Sequence, residues 1–148
     1  MTDPEYMQMA LEQARLAALR GEVPVGAVVI FEGRILAAAG NRTLTDGDPT
    51  AHAEIVALRA AAQAAGNHRL IGAALYVTIE PCAMCAGALV QARVARLIYG
   101  ADEPKGGAIR SCLKVLDAPF LNHRVEVTSG ILAGESVQLL QAFFAARR

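Results

Sequence analysis

Leu75-Tyr76-Val77-Thr78-Ile79, then Glu80-Pro81-Cys82-Ala83-Met84-Cys85, then Ala95-Arg96-Leu97-Ile98-Tyr99-Gly100 is the stretch on which the architecture turns. Short apolar runs rich in β-branched and aromatic residues read as strands, and Pro81 opens a helix that runs to about Ala92. A strand, a helix and a second strand of this length predict a β-α-β crossover with parallel strands. Upstream, Val25 to Phe31 and Arg34 to Gly40 flank the tight turn Glu32-Gly33 and predict a hairpin buried on both faces.

The remaining elements follow from periodicity and punctuation. Thr2-Asp3-Pro4-Glu5 starts a helix in which Met7, Ala10, Leu11, Ala14, Ala17 and Ala18 recur at helical spacing until Gly21. A second helix is predicted from Thr50 to Ala65, stopped by Gly66, after a polar loop from Asn41 to Pro49. Beyond a loop containing Lys105-Gly106-Gly107 come a short helix at Ser111 to Leu116, a weak strand at Arg124 to Thr128, and an amphipathic helix from about Ala133 to Arg147. The expected architecture is an α/β, three-layer α/β/α sandwich: a mixed sheet of about five strands with helices on both faces. A length of 148 residues is that of one domain over 1–148.

Composition narrows the classes further. An apolar content of 54% with 19% charge excludes disorder, and no stretch approaches a membrane span. Met1-Thr2-Asp3-Pro4-Glu5 has no signal-peptide pattern, so the cytoplasm is the expected location. Fourteen basic residues balance fourteen acidic ones, so any nucleic-acid partner needs a local patch. Three cysteines, two of them in C-x-x-C, point to metal or redox chemistry, not to a disulfide framework. Cys112 reads as a buried or half-buried small side chain.

Cys82 and Cys85, three apart at a helix start, share a face on which the helix dipole favours thiolates. His52 can add a third ligand, leaving a fourth tetrahedral position open as in catalytic zinc sites, and two thiolates with an imidazole favour zinc. Both His52 and Glu54 belong to a first helical turn, whose side chains lean toward the N-terminal end. The competing reading of C-x-x-C after a strand is a metal-free, thioredoxin-like dithiol oxidoreductase with no role for His52. A zinc-stabilised RNA-binding module without catalysis is a third.

Taken together, His52-Ala53-Glu54 and Pro81-Cys82-Ala83-Met84-Cys85 match the known signature of zinc nucleobase deaminases, among them the adenosine-editing enzymes of tRNA. Further stretches carry the likeness over nearly the whole chain: Glu22-Val23-Pro24-Val25-Gly26-Ala27-Val28, Asn41-Arg42, Asp48-Pro49-Thr50-Ala51 before His52, Tyr76 to Ala88, and Asn122-His123-Arg124-Val125-Glu126. The sequence resembles the bacterial tRNA-specific adenosine deaminase family. That resemblance implies a cytidine deaminase-like fold, a homodimer, one zinc ion per subunit held by His52, Cys82 and Cys85, and Glu54 as proton shuttle. The implied reaction converts the wobble adenosine of a tRNA anticodon loop to inosine; the alternative within the same chemistry is a deaminase of free guanine, cytosine or cytidine.

By the same resemblance Asn41 contacts the target base and Val25 and Ile79 flank it. On their own, Asn41 reads equally as a loop former and the two apolar residues as core. The candidate RNA patch comprises Arg42, Lys105-Gly106-Gly107, Arg110, Lys114 and the end Phe143-Phe144-Ala145-Ala146-Arg147-Arg148. The resemblance favours Lys105, Phe144 and Arg147, whereas Phe143 with Leu139 and Leu140 reads equally as an apolar helix stripe. Asp102-Glu103-Pro104 departs from the family pattern and puts Glu103 where an Asp is usual. His68 is expected at the surface and His123 at a surface or interface.

Overall fold

The computed structural model describes residues 1–147 and contains, in order, α1 (Asp3–Leu19), β1 (Gly26–Phe31), β2 (Arg34–Gly40), α2 (Ala53–Ala65), β3 (Ala74–Ile79), α3 (Ala83–Gln91), β4 (Arg96–Ala101), a 3-10 turn (Val115–Asp117), β5 (Glu126–Thr128) and α4 (Ala133–Ala145). The strands form one sheet in the order β2-β1-β3-β4-β5. β1 runs antiparallel to β2 and to β3, whereas β3, β4 and β5 are parallel. The predicted β-α-β crossover is therefore β3-α3-β4.

Side-chain alternation along the strands sorts the core into two layers. Ala27, Val29, Leu75, Val77, Leu97 and Tyr99 pack with α2 and α3 residues such as Ala57, Leu58, Ala86 and Leu89. Val28, Ile30, Tyr76 and Ile98 point the other way, against Tyr6, Met7 and Ala10 of α1 and, beside α4, Leu132. The result is the expected three-layer α/β/α sandwich. Thr2 and Glu5 close a reciprocal capping box at the start of α1. Tyr76 and Arg96 both bond Asp3 there, at 2.6 and 3.0 Å, and fasten the helix to the sheet.

Four local expectations change. The hairpin is not buried throughout: β1 is buried up to the half-buried Phe31, but Arg34, Ile35 and Ala38 of β2 are exposed because β2 is an edge strand. Pro81 does not lie inside a helix, since α3 begins at Ala83 with Cys82 as its N-cap; likewise α2 begins at Ala53 with His52 as its N-cap. The short helix at Ser111 is replaced by turns, and only Val115–Asp117 is helical. Its N–H groups are otherwise engaged: Arg110 and Ser111 donate to Glu80, and Cys112 and Leu113 to the carbonyl of Gly107. Cys112 is exposed, with its thiol 3.1 Å from the Pro104 carbonyl, because the surrounding turns lie on the surface. Among the described residues no helix is long and apolar enough to cross a membrane.

Gly26 and Gly40 face each other across β1 and β2 and form the seat of α1. A Cβ at Gly26 would collide with the Ala10 carbonyl and the Ala14 N–H, and one at Gly40 would meet the Gln13 carbonyl at 2.8 Å. Gly26→Ala is expected to lower stability by about 3 kcal/mol through overpacking. A denaturant midpoint equal to that of the parent would show that α1 does not rest on this seat.

Candidate metal centre and substrate cleft

Topology brings the chemistry together. Two antiparallel pairings, β2 with β1 and β1 with β3, put the C-terminal ends of β2 and β3 at the same end of the sheet. The chain leaves these ends for α2 and α3, so the two helix N-termini converge. His52 Nδ1 lies 3.5 Å from Cys82 Sγ and 3.6 Å from Cys85 Sγ. A tetrahedral zinc with Zn–S near 2.3 Å and Zn–N near 2.0–2.1 Å separates its sulfur and nitrogen ligands by about 3.6 Å. The three side chains thus stand at ligand spacing, all ligand atoms lying within 4.8 Å of one another, and fit such an ion.

Neither helix is capped by its own N-cap side chain, because His52 and Cys82 are turned to the metal position. Asn41 supplies the missing cap to α2: its Oδ1 accepts the Ala53 N–H at 3.2 Å, while its own N–H donates to the Val25 carbonyl. Asn41 therefore serves the fold through Oδ1, and its Nδ2 makes no hydrogen bond among the described residues.

At the start of α3 the Cys82 thiol is held down to about 5, first by a hydrogen bond from Cys85 and further by the N–H of Cys85, the charge of His52 and the N–H of Met84. Cys85 is pushed up, chiefly by donating that bond and by burial. Ligation of a metal by both sulfurs takes both as thiolates. Glu54 is 3% exposed. Burial pushes its carboxyl above the ordinary Glu range, against the pull of its own N–H and of His52, which suits a group that must take up a proton and return it.

Around this centre is an open cleft of about 490 Å³ lined by Val25, Asn41, His52, Glu54, Ile79, Cys82, Lys105 and Phe144, together with Val23, Glu80, Glu103 and Leu140. Every candidate site residue except buried Cys85 and Arg147 lines it. Arg147 instead stacks 3.4 Å above the Phe143 ring and donates to the Phe143 carbonyl. Phe143 is buried, which bears out the apolar-stripe reading; Phe144 is 48% exposed at the rim. Arg42 is paired with Asp46 at 3.0 Å, Arg110 bonds Ser129, and Lys114 is exposed; Arg148 lies outside the described residues. His68 is exposed as expected, and His123 is half-buried with Nε2 2.7 Å from the Val94 carbonyl.

Two buried acids went unassigned in the sequence, although both stand in its motif stretches. Glu22 accepts the N–H groups of Leu44 and Thr45 and the hydroxyls of Thr43 and Thr45, fixing one loop beside the cleft. Glu80 does the same for the loop on the other side. The available signal was an acid inside an apolar run, Glu22-Val23-Pro24-Val25 and Ile79-Glu80-Pro81, with a hydroxyl- or glycine-rich loop downstream.

Known proteins place this arrangement. A family model described as MafB19-like deaminase matches residues 1–148, and a guanine deaminase from Nitrosomonas europaea has the same fold, with a TM-score of 0.83 at 26% identity over 96% of this chain and 84% of that one. Fold and metal-ligand group together define a deaminase with the cytidine deaminase-like architecture. The tRNA-specific adenosine deaminase of Agrobacterium fabrum is 49% identical over 97% of this chain and 94% of its own, and that of Haemophilus influenzae 48% over 99% and 85%. A solved structure from studies of A-to-I editing by tRNA:A34 deaminases at the wobble position superposes with a TM-score of 0.89 at 49% identity, covering 92% of this chain and 99% of that one. The chain belongs to the tRNA-specific adenosine deaminase family.

Glu22 provides a pH test of the loop anchors. Burial pushes its carboxyl up, but the Thr45 hydroxyl and N–H and the donors from Leu44 and Thr43 outweigh that and hold it below the ordinary value of 4.5. A carboxyl depressed on folding adds stability above its unfolded pKa and loses it as the pH falls. The parent should therefore exceed Glu22→Gln in unfolding free energy at neutral pH, with the gap narrowing below about pH 4.5. A gap that stays constant into acid would rule out a charged anchor.

Proposed function

We propose that this chain, as one zinc-dependent domain over 1–148, hydrolytically deaminates the wobble adenosine of a tRNA anticodon loop to inosine, releasing ammonia. The observation that carries the reading is the approach of His52 Nδ1 to both cysteine sulfurs, 3.5 and 3.6 Å, in a cleft that also holds the buried Glu54 carboxylate. The dithiol oxidoreductase alternative has no use for that histidine. Zinc is the metal that two thiolates and an imidazole favour, and when bound it lowers the pKa of a coordinated water toward about 7 and so supplies hydroxide at neutral pH.

The chain's own groups do the rest. The target base, flipped out of its stack, enters between Val25 and Ile79, whose apolar surfaces exclude water from its faces. The Nδ2 donors of Asn41 read the base edge. Glu54 takes a proton from the attacking water and passes it to the ring nitrogen beside C6, so making that carbon electrophilic; once the C6–O bond has formed it takes the remaining hydroxyl proton and delivers it to the amino group, so that the C6–N bond breaks, ammonia leaves and the carbonyl of inosine forms. Lys105 attracts the flanking phosphates and Phe144 offers a face to an unstacked neighbouring base. Arg147, held on Phe143, supports the rim from behind rather than lining the cleft. The active species is a homodimer in the cytoplasm; the exposed apolar side chains of Met84, Leu113 and Phe120, on α3 and beside the 3-10 turn, support such self-association. A single monomeric species at micromolar concentration on sedimentation would contradict the dimer.

The deciding assay incubates metal-checked protein with an anticodon stem-loop bearing a wobble adenosine and, separately, with free adenosine, cytidine, cytosine and guanine. Inosine in the stem-loop alone is expected, and Glu54→Gln should keep its zinc while losing about 100- to 10,000-fold in turnover. Ammonia from a small molecule alone would transfer the same chemistry to a free base, as in the guanine deaminase whose fold this chain shares. A fully active Glu54→Gln variant would remove the proton shuttle.

A further inference from the structure

Glu80 takes no part in the chemistry above, yet it is the most heavily engaged carboxylate among the described residues. It leaves the end of β3 one residue before Pro81 and is 2% exposed. Oε1 accepts the Glu103 N–H at 3.0 Å and the Ser111 hydroxyl; Oε2 accepts the N–H groups of Ile109, Arg110 and Ser111 at 3.0, 2.8 and 2.9 Å. Its charge is met by oriented dipoles, a backbone nest built for an anion that the chain itself supplies.

Further close contacts hold the loop against this carboxylate. Gly107 donates to the Glu103 carbonyl at 2.8 Å, and a Cβ on it would run into the Glu80 carboxylate and that carbonyl. Ala108 donates to the Pro81 carbonyl, and Glu80 itself donates to the Ala101 carbonyl, both at 2.8 Å. What this loop presents to the cleft is Glu103 and Lys105, with the Lys105 N–H on Glu103 Oε1 at 2.8 Å. The metal ligands and Glu54 stand on α2 and α3 instead. One carboxylate thus sets how far the polar rim stands from the reacting centre.

We propose that Glu80 is a positioning residue for RNA recognition: it holds the 103–111 loop so that Lys105 and Glu103 meet the sugar-phosphate backbone beside the flipped nucleoside. This rests on the reading of the cleft as an RNA-editing site. Because the loop contacts substrate away from the reacting atoms, its release weakens binding in ground and transition states alike and raises KM with kcat unchanged.

The test measures kcat and KM on the anticodon stem-loop, with zinc per subunit, for the parent, Glu80→Gln, Glu80→Asp and Ser111→Ala, well below the unfolding temperature of each. Glu80→Gln is expected to raise KM about 10-fold or more with kcat within about twofold of the parent and zinc unchanged, and Glu80→Asp to recover part of the loss. Ser111→Ala, which removes one of the five donors, should raise KM about threefold and decides the matter should Glu80→Gln not fold. An unchanged KM, or a fall in kcat that follows loss of zinc, overturns the proposal and makes Glu80 a support of the metal site. Absence of parent turnover on the stem-loop overturns the RNA-editing reading itself.

Discussion

The meeting of two helix N-termini over one end of a sheet is the constraint to which the rest of this structure answers. α2 and α3 each begin with a residue, His52 and Cys82, whose side chain makes no capping hydrogen bond and joins Cys85 in a group that could hold a metal, which leaves backbone N–H groups in need of acceptors. Asn41 reaches across from the end of β2 to satisfy one of them at α2. At α3 the N–H groups of Met84 and Cys85 favour the Cys82 thiolate without forming a capping hydrogen bond. Donor groups that would otherwise be a liability thus become part of the electrostatics that prepare a cation site.

A second layer of organisation surrounds that centre. Glu22 and Glu80 are buried acids without a basic partner in any ion pair among the described residues, and each gathers a loop by its N–H and hydroxyl groups. A buried carboxylate costs several kcal/mol to desolvate, and it persists only where hydrogen bonds are numerous enough to offset that. Irregular loops cannot be held by ladder bonds, so an internal anion is an economical organiser for both walls of the cleft. The seat made by Gly26 and Gly40 serves the same end from behind, drawing α1 directly onto the strands that lead to Val25 and Asn41.

Much of this was legible in the residues, for identifiable reasons. Strand and helix periods marked nearly every element, since each buries a regular face; even β5 was visible as a short run. The group His52, Cys82 and Cys85 was legible because few residue types can ligate a metal and their spacing at helix starts is narrow. The failures have equally local causes. Burial of β2 was overestimated because apolar content alone does not reveal which strand lies at the edge. Where a helix was expected at Ser111 the chain forms turns, tied by Ser111 to Glu80, thirty-one residues away, and by Cys112 and Leu113 to the Gly107 carbonyl, contacts that no local propensity records.

Residue types and spacing carried the fold class and pointed to His52, Cys82 and Cys85 as a group able to hold a metal, because local periodicity and side-chain chemistry suffice for these; Glu54 was reached through the resemblance. Tertiary structure alone decided the rest: that the two helix starts meet at ligand distance, that Asn41 is both a cap and a cleft residue, that Arg147 stacks on Phe143 away from the cleft, and that Glu22 and Glu80 anchor its walls. Each of these is a contact between segments far apart in the chain, and its energy exists only once the sheet order has brought them together.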